Sequence, residues 1–95
     1  MRLTEFEILS IKNAVSLYLK EYELFLFGSR VDDLAKGGDI DLMILTEEKY
    51  SMQTKWTIRN EIEKRIGEQK IDIVNFAYNE NNPFKDFIIE TAVKL

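Results

Sequence analysis

Three short apolar runs set the terms on which this chain can fold. They are Leu24–Phe27 (LFLF), Asp39–Leu45 (DIDLMIL) and Lys70–Phe76 (KIDIVNF). The first is short and continuously apolar, which suits a strand buried on both faces of a sheet, the second is nearly all apolar once its two acids are passed, and the third reads as a further strand. The first run, entered from Glu21, stops abruptly at Gly28-Ser29, whereas the second opens on Asp39 and the third carries Asp72 near its start. Between the second and third lies Glu47–Ile66, with Met52/Trp56 and Ile58/Ile62/Ile66 at i, i+4 spacing and Gly67 as a C-terminal stop. That segment reads as a helix. A strand, a helix and a strand in this order predict two parallel neighbours joined by a right-handed crossover.

Two further helices flank the runs. Thr4 and Glu7 form a Thr-x-x-Glu capping box, which predicts a helix from Glu5 to about Lys20. Phe6, Leu9, Ile11, Val15, Tyr18 and Leu19 give it a broad apolar face. Asn82 as N-cap and Pro83 at the first helical position predict a last helix running to about Lys94. Val31 to Gly38 is a polar turn with one helical turn expected near Asp32–Leu34, closing in Lys36-Gly37-Gly38. The expected order is helix, strand, strand, helix, strand, helix. That is an α+β fold with a small mixed three-stranded core sheet. No linker, repeat or low-complexity tract divides residues 1–95, so a single domain is expected; a chain of this size buries roughly 60–65% of its unfolded surface.

The chain has no histidine and no cysteine. Ser-His-Asp and Cys-His catalysis, disulfides, zinc fingers and His-ligated metals are therefore excluded. Chemistry is left to carboxylates, hydroxyls, lysines and arginines, a set that favours hard, oxygen-bound cations such as magnesium. Thirteen Lys and Arg against seventeen Asp and Glu give a net charge of −4. Such a chain lacks the basic stripe of a stand-alone nucleic-acid-binding module. No apolar stretch approaches the roughly 18–20 residues of a membrane span, and the N-terminus carries early acids with no signal-peptide core. A cytoplasmic location is the expectation.

Three aspartates interrupt the runs, and the expected topology gathers them. Asp39 and Asp41 open the second strand and project to one face, because residues i and i+2 do. Asp72 lies near the start of the third strand, so parallel pairing puts all three at one end of the sheet. An antiparallel first strand delivers Gly28-Ser29 to the same end. Two carboxylates about 4 Å apart repel by roughly 4 kcal/mol at an effective dielectric of 20, so the cluster calls for a shared proton or a cation. Taken singly, Asp39 is a turn residue after Gly-Gly, Asp72 an exposed edge acid and Gly-Ser a turn. Together they favour a metal-bearing acid cluster facing a phosphate grip, in which glycine admits close approach and Ser29 offers a hydroxyl.

Gly28-Ser29-Arg30, nine intervening residues between Ser29 and Asp39, then Asp39-Ile40-Asp41-Leu42, resemble the signature of the polymerase-β-type nucleotidyltransferases. Lys70-Ile71-Asp72-Ile73-Val74 is similar to that family's third acidic element. The resemblance spans about Phe25 to Phe76. The small size and the Gly-Ser-Arg-Val-Asp…Gly-Gly-Asp-Ile-Asp wording are most similar to its minimal nucleotidyltransferases. Members of that group are antitoxin partners of separate HEPN-domain toxins, and the active ones transfer AMP from ATP to a toxin tyrosine.

The resemblance implies a role for each matching residue. Asp39 and Asp41 would hold two magnesium ions, and Asp72 would complete the second metal site and help deprotonate the attacking hydroxyl. Gly28 and Ser29 would bind the β and γ phosphates of ATP. Arg30 pairs either with phosphate or with a nearby acid that fixes the turn. The slightly short loop puts Lys36 in doubt as a nucleotide contact, and Asp32 and Asp33 read better as turn or cap residues. The implied reaction is in-line displacement at the α-phosphorus with pyrophosphate leaving. The chain offers no second domain for the acceptor, so the expected acceptor is a separate macromolecule in a hetero- or homo-oligomer. Tyr50, Trp56 and Phe84 are candidate interface aromatics, with core packing the ordinary fate of each, and Phe87-Ile88-Ile89 is a candidate partner surface. The alternative is a non-catalytic antitoxin or nucleotide-binding subunit that neutralises its partner by binding alone.

Overall fold

A computed structural model describes residues 1–34 and 38–95; Lys36, the doubtful nucleotide contact, and Gly37 lie outside the described residues. Helix α1 (Glu5–Ser16) opens on the expected capping box. The Thr4 hydroxyl accepts from the Glu7 N–H at 3.0 Å, and the Thr4 N–H donates to the Glu7 carboxylate at 2.9 Å. Strands β1 (Glu23–Phe27) and β2 (Ile40–Thr46) pair antiparallel. Helix α2 (Met52–Ile66) then carries the chain to β3 (Ile71–Ala77), parallel to β2. Helix α3 (Pro83–Thr91) follows, with Asn82 capping the Phe84 and Lys85 N–H groups.

The alternation of side chains along the strands divides two cores. Leu24, Leu26, Leu42, Ile44, Ile71 and Ile73 meet Ile11, Ala14 and Val15 of α1 and Ile58 and Ile62 of α2. On the opposite face, Met43, Leu45 and Phe76 meet Ile88 of α3. Two helices thus cover one face of the sheet and a single short helix covers the other. No helix among the described residues is long and apolar enough to cross a membrane.

Four expectations are corrected. The sheet has four strands, in the order β3-β2-β1-β4, because the last helix stops at Thr91 and a two-residue β4 (Val93–Lys94) follows. Ala92 turns extended, Val93 and Lys94 pair antiparallel with Leu26 and Phe25, and the Leu95 N–H donates to the Leu24 carbonyl at 2.9 Å. The otherwise free edge of β1 holds backbone groups that need partners, and two residues supply them. Helix α1 stops at Ser16 rather than near Lys20, and its buried residues are Ser10, Ile11, Ala14 and Val15, while Phe6, Leu9, Leu17 and Tyr18 stay exposed.

Helix α2 begins at Met52 rather than Glu47. The segment 47–50 is held in another shape, with the Tyr50 N–H donating to the Asn75 side chain at 3.0 Å and the Thr46 hydroxyl donating to the Glu48 carbonyl at 2.7 Å. Ser51 then caps the helix through the Thr54 N–H. Finally, the helical turn after β1 is a 3₁₀ turn over Gly28–Val31, upstream of the expected Asp32–Leu34.

Candidate functional site

Register places the acids in one row. Phe27 of β1 stands opposite Asp41 of β2, which stands opposite Asp72 of β3. All three belong to the lightly covered sheet face, since Ile40 and Ile71 beside them are buried in the core beneath α1 and α2. Asp39 lies two residues before Asp41, and the Lys70 ammonium lies 3.4 Å from its carboxylate. Asp39 and Asp41 are half-buried and Asp72 is exposed. The predicted convergence of the three acids at one end of the sheet therefore holds.

Gly28 follows Phe27 at once and starts the 3₁₀ turn with φ 76°. Its backbone lies so close to Asp41 that a Cβ there would overlap a carboxylate oxygen. Gly38, at φ 97°, stands in the same relation to the Ser29 hydroxyl. Two glycines thus let the β1 turn, the approach to β2 and the Asp41 carboxylate crowd together. Any side chain at Gly28 would displace Asp41.

Burial first, then the charges of Asp72 and Asp39, push the Asp41 carboxyl above its ordinary pKa, against the opposing pull of Lys70. The carboxyl is therefore destabilised as an anion and gains from a cation nearby. The donor set is oxygen only, which matches a hard divalent cation such as Mg²⁺. As the side chains stand, no group of three acids among the described residues forms a ready-made metal cage. The row offers carboxylate oxygens from Asp41 and Asp72 on neighbouring strands, with Asp39 two residues before Asp41.

Arg30 is bonded within the chain, to carbonyl oxygens rather than to a nearby acid. Its Nη1 donates to the Arg2 carbonyl at 2.9 Å, its Nη2 to the Gln69 side chain at 3.2 Å and its Nε to the Gly38 carbonyl at 3.3 Å. It binds the chain's own carbonyls and so fixes the turn. Asp32 accepts from the Leu34 N–H at 2.8 Å, the turn role expected of it.

Sequence reasoning missed several neighbours of the site. Arg2 donates to the Ser29 carbonyl at 2.9 Å and to the Asp32 carbonyl at 2.9 Å, bracing the 3₁₀ turn from the N-terminal segment. Gln69 bridges Arg30 to Glu7. No motif marks either residue. Lys70 was findable, because a parallel register carries it opposite Asp39. Of the candidate aromatics, Tyr50 is half-buried against the core, whereas Trp56, Phe84, Phe87 and Ile89 are exposed and Ile88 is buried. Phe84 packs edge-on against Phe27 and Phe76, with ring centroids 6.3 Å apart in both pairs, beside the acid row.

A family model described as "Polymerase beta, Nucleotidyltransferase" matches residues 10–95, which includes every strand and all three aspartates. Among curated proteins, none matches the chain.

Proposed function

Because the chain belongs to the polymerase beta nucleotidyltransferase family, we propose that it moves AMP from ATP to a hydroxyl of a second protein in a Mg²⁺-dependent reaction. The observation that carries this reading is the row Phe27–Asp41–Asp72 with the Gly28 backbone against Asp41. It sets carboxylates beside a glycine turn whose N–H groups can face an anion. Asp39, Asp41 and Asp72 are the residues that would hold the metal. Bound there, Mg²⁺ supplies charge neutralisation and polarisation of the phosphoryl oxygens. Gly28 and Ser29 bind the phosphates of ATP, and the Arg2 and Arg30 bonds keep that turn in place. The acceptor oxygen forms a bond to the α-phosphorus as the bond to pyrophosphate breaks. The hydroxyl proton goes to a carboxylate oxygen of Asp72, the most exposed acid of the three.

The acceptor in this reading is a tyrosine of a HEPN-domain toxin, and the chain acts in the cytoplasm as the antitoxin of the pair. The test is transfer of label from α-labelled ATP to such a partner in the presence of Mg²⁺. Labelling should fall about a thousandfold or more when Asp39→Asn and Asp41→Asn are combined, with partner binding retained. Unchanged labelling in that variant would sink the assignment. A second reading, neutralisation by binding alone, draws on the absence of a ready-made three-acid cage among the described residues. Growth rescue by the same double variant at equal expression separates it from the first.

A further inference from the structure

Two adjoining grooves run between α2 and β3, away from the Gly28 turn. One, of about 290 Å³, reaches Asp72, and the other, of about 350 Å³, reaches Phe76; Lys55, Ile73 and Val74 line both. The joint groove therefore begins at the third acid of the row and follows the strand. Its length, Asp72 to Phe76, is that of about five extended residues, roughly 16 Å.

Its charge is opposite to that of the molecule. The chain carries −4 overall, yet Lys49, Lys55 and Arg59 stand along this groove, with Asp72 its one acid. Lys49 is paired with Glu80 at 3.2 Å. Arg59 donates from Nε to the Ile71 carbonyl at 3.1 Å, lies over the Trp56 ring at 5.4 Å and has Glu63 at 3.7 Å. Lys55 has no ion-pair partner among the described residues. Beside it, Trp56 is 52% exposed and Met52 63% exposed, at i, i+4 spacing on a helix that buries Ile58 and Ile62.

We propose that this groove seats the acceptor protein as an extended segment carrying carboxylates beside its reactive hydroxyl, delivering that hydroxyl to the Asp72 end. The proposal rests on the transferase reading for its purpose, though not for its binding. One unpaired cation and a partly paired arginine match a peptide with one or two carboxylates. A nucleic-acid strand needs several cations and meets repulsion from the net charge. A two-fold contact between copies of this chain would set the same cations against one another. Met52 and Trp56 supply the apolar contact that gives such a segment residence.

The test is a titration of ¹⁵N-labelled protein, without ATP or Mg²⁺, with a synthetic peptide of about ten residues in extended form. The peptide has a central tyrosine flanked by glutamates alternating with valines, and its control replaces every glutamate by glutamine. Amide shifts should concentrate at residues 72–76 and 55–59. The glutamine peptide should bind about fivefold more weakly, and Lys55→Glu should weaken the glutamate peptide about tenfold. Trp56→Ser, which leaves the charges in place, should weaken both peptides alike. Equal affinity for both peptides, shifts confined to other surfaces, tighter binding of a single-stranded oligonucleotide in the groove, or self-association through β3 would each overturn the proposal. Since no nucleotide is present, a groove that binds in a protein that transfers nothing sinks the function and spares the groove, and the converse holds.

Discussion

Asp41 lies half-buried between Phe27 and Asp72, with the Gly28 backbone against its carboxylate and Asp39 on the same side. Burial and two like charges hold its carboxyl above the ordinary value. For an acid whose folded pKa is raised, the folded state binds more protons than the unfolded one between the two values. Stability therefore falls as pH rises from the unfolded pKa, near 4, through the folded one, and stays at its lower level above both. Neutralising the group should relieve that cost. In metal-free buffer at pH 7, Asp41→Asn should raise Tm by about 2–4 °C, a modest figure because solvent screens a half-exposed carboxylate. Scanning calorimetry checks it, and the variant's Tm should depend less on pH above about 4. Added Mg²⁺ should raise the Tm of the wild type and leave the variant nearly unmoved. A variant less stable than the wild type in metal-free buffer would mean that Asp41 serves the fold and not the site.

At the corner between β3 and α3, Lys85 is buried, with its ammonium bonded to the carbonyls of Ala77 at 3.1 Å, Tyr78 at 2.6 Å and Glu80 at 3.2 Å. Three carbonyls of one turn converge on a single cation from the following helix, the Ala77 carbonyl accepting from the Glu80 N–H as well, so α3 docks through this bond as well as through Ile88. Lys85→Met keeps the aliphatic stem and removes the donor, leaving those carbonyls short of a partner. The expected loss is about 2–3 kcal/mol in urea unfolding, with Ile88 still in place. Elements of this kind explain what was legible in the chain and what was not. Strands β2 and β3 could be read because each is mostly apolar once its acids are passed, and the parallel register followed from the helix between them. The acid row came with it, as a consequence of topology. Helix starts and stops were harder, because local pattern did not decide them. Segment 47–50 holds no helix breaker, but the Asn75 side chain holds its backbone from a strand far along the chain. Val93 and Lys94 likewise look helical until the unpaired edge of β1 is known to lie beside them. The role of Arg30 depended on carbonyls supplied by three other segments, none of which carries a motif.

Those three segments belong to a network that ties the whole molecule to its site. Arg30 reaches the N-terminal segment at Arg2, the approach to β2 at Gly38 and the approach to β3 at Gln69; Gln69 continues to Glu7 on α1. Arg2 returns to the 3₁₀ turn at Ser29 and Asp32. Burial raises the Glu7 carboxyl, yet bonds from Thr4 and Gln69 together with the charge of Arg30 hold it below its usual value. The 3₁₀ turn is thus held from the N-terminal segment, from α1 and from the approaches to β2 and β3, and it should move only when these give way. Two roles for Arg30 can be separated on this ground. If it were chiefly a phosphate contact, Arg30→Lys would keep most of the charge, Arg30→Met would raise KM for ATP, and both would leave Tm alone. A planar fork serving three fixed carbonyl acceptors predicts otherwise, because lysine carries one point charge and cannot reach all three. Both variants should lose roughly 2 kcal/mol, a fall in Tm of about 8–15 °C, with lysine scarcely better than methionine. Transfer activity should decline with the folded fraction and with the order of the turn, so kcat falls at least as much as KM rises. Thermal unfolding of the two variants beside their steady-state kinetics makes the comparison. An unchanged Tm with a raised KM would return Arg30 to the nucleotide and leave Arg2 and Gln69 to hold the turn.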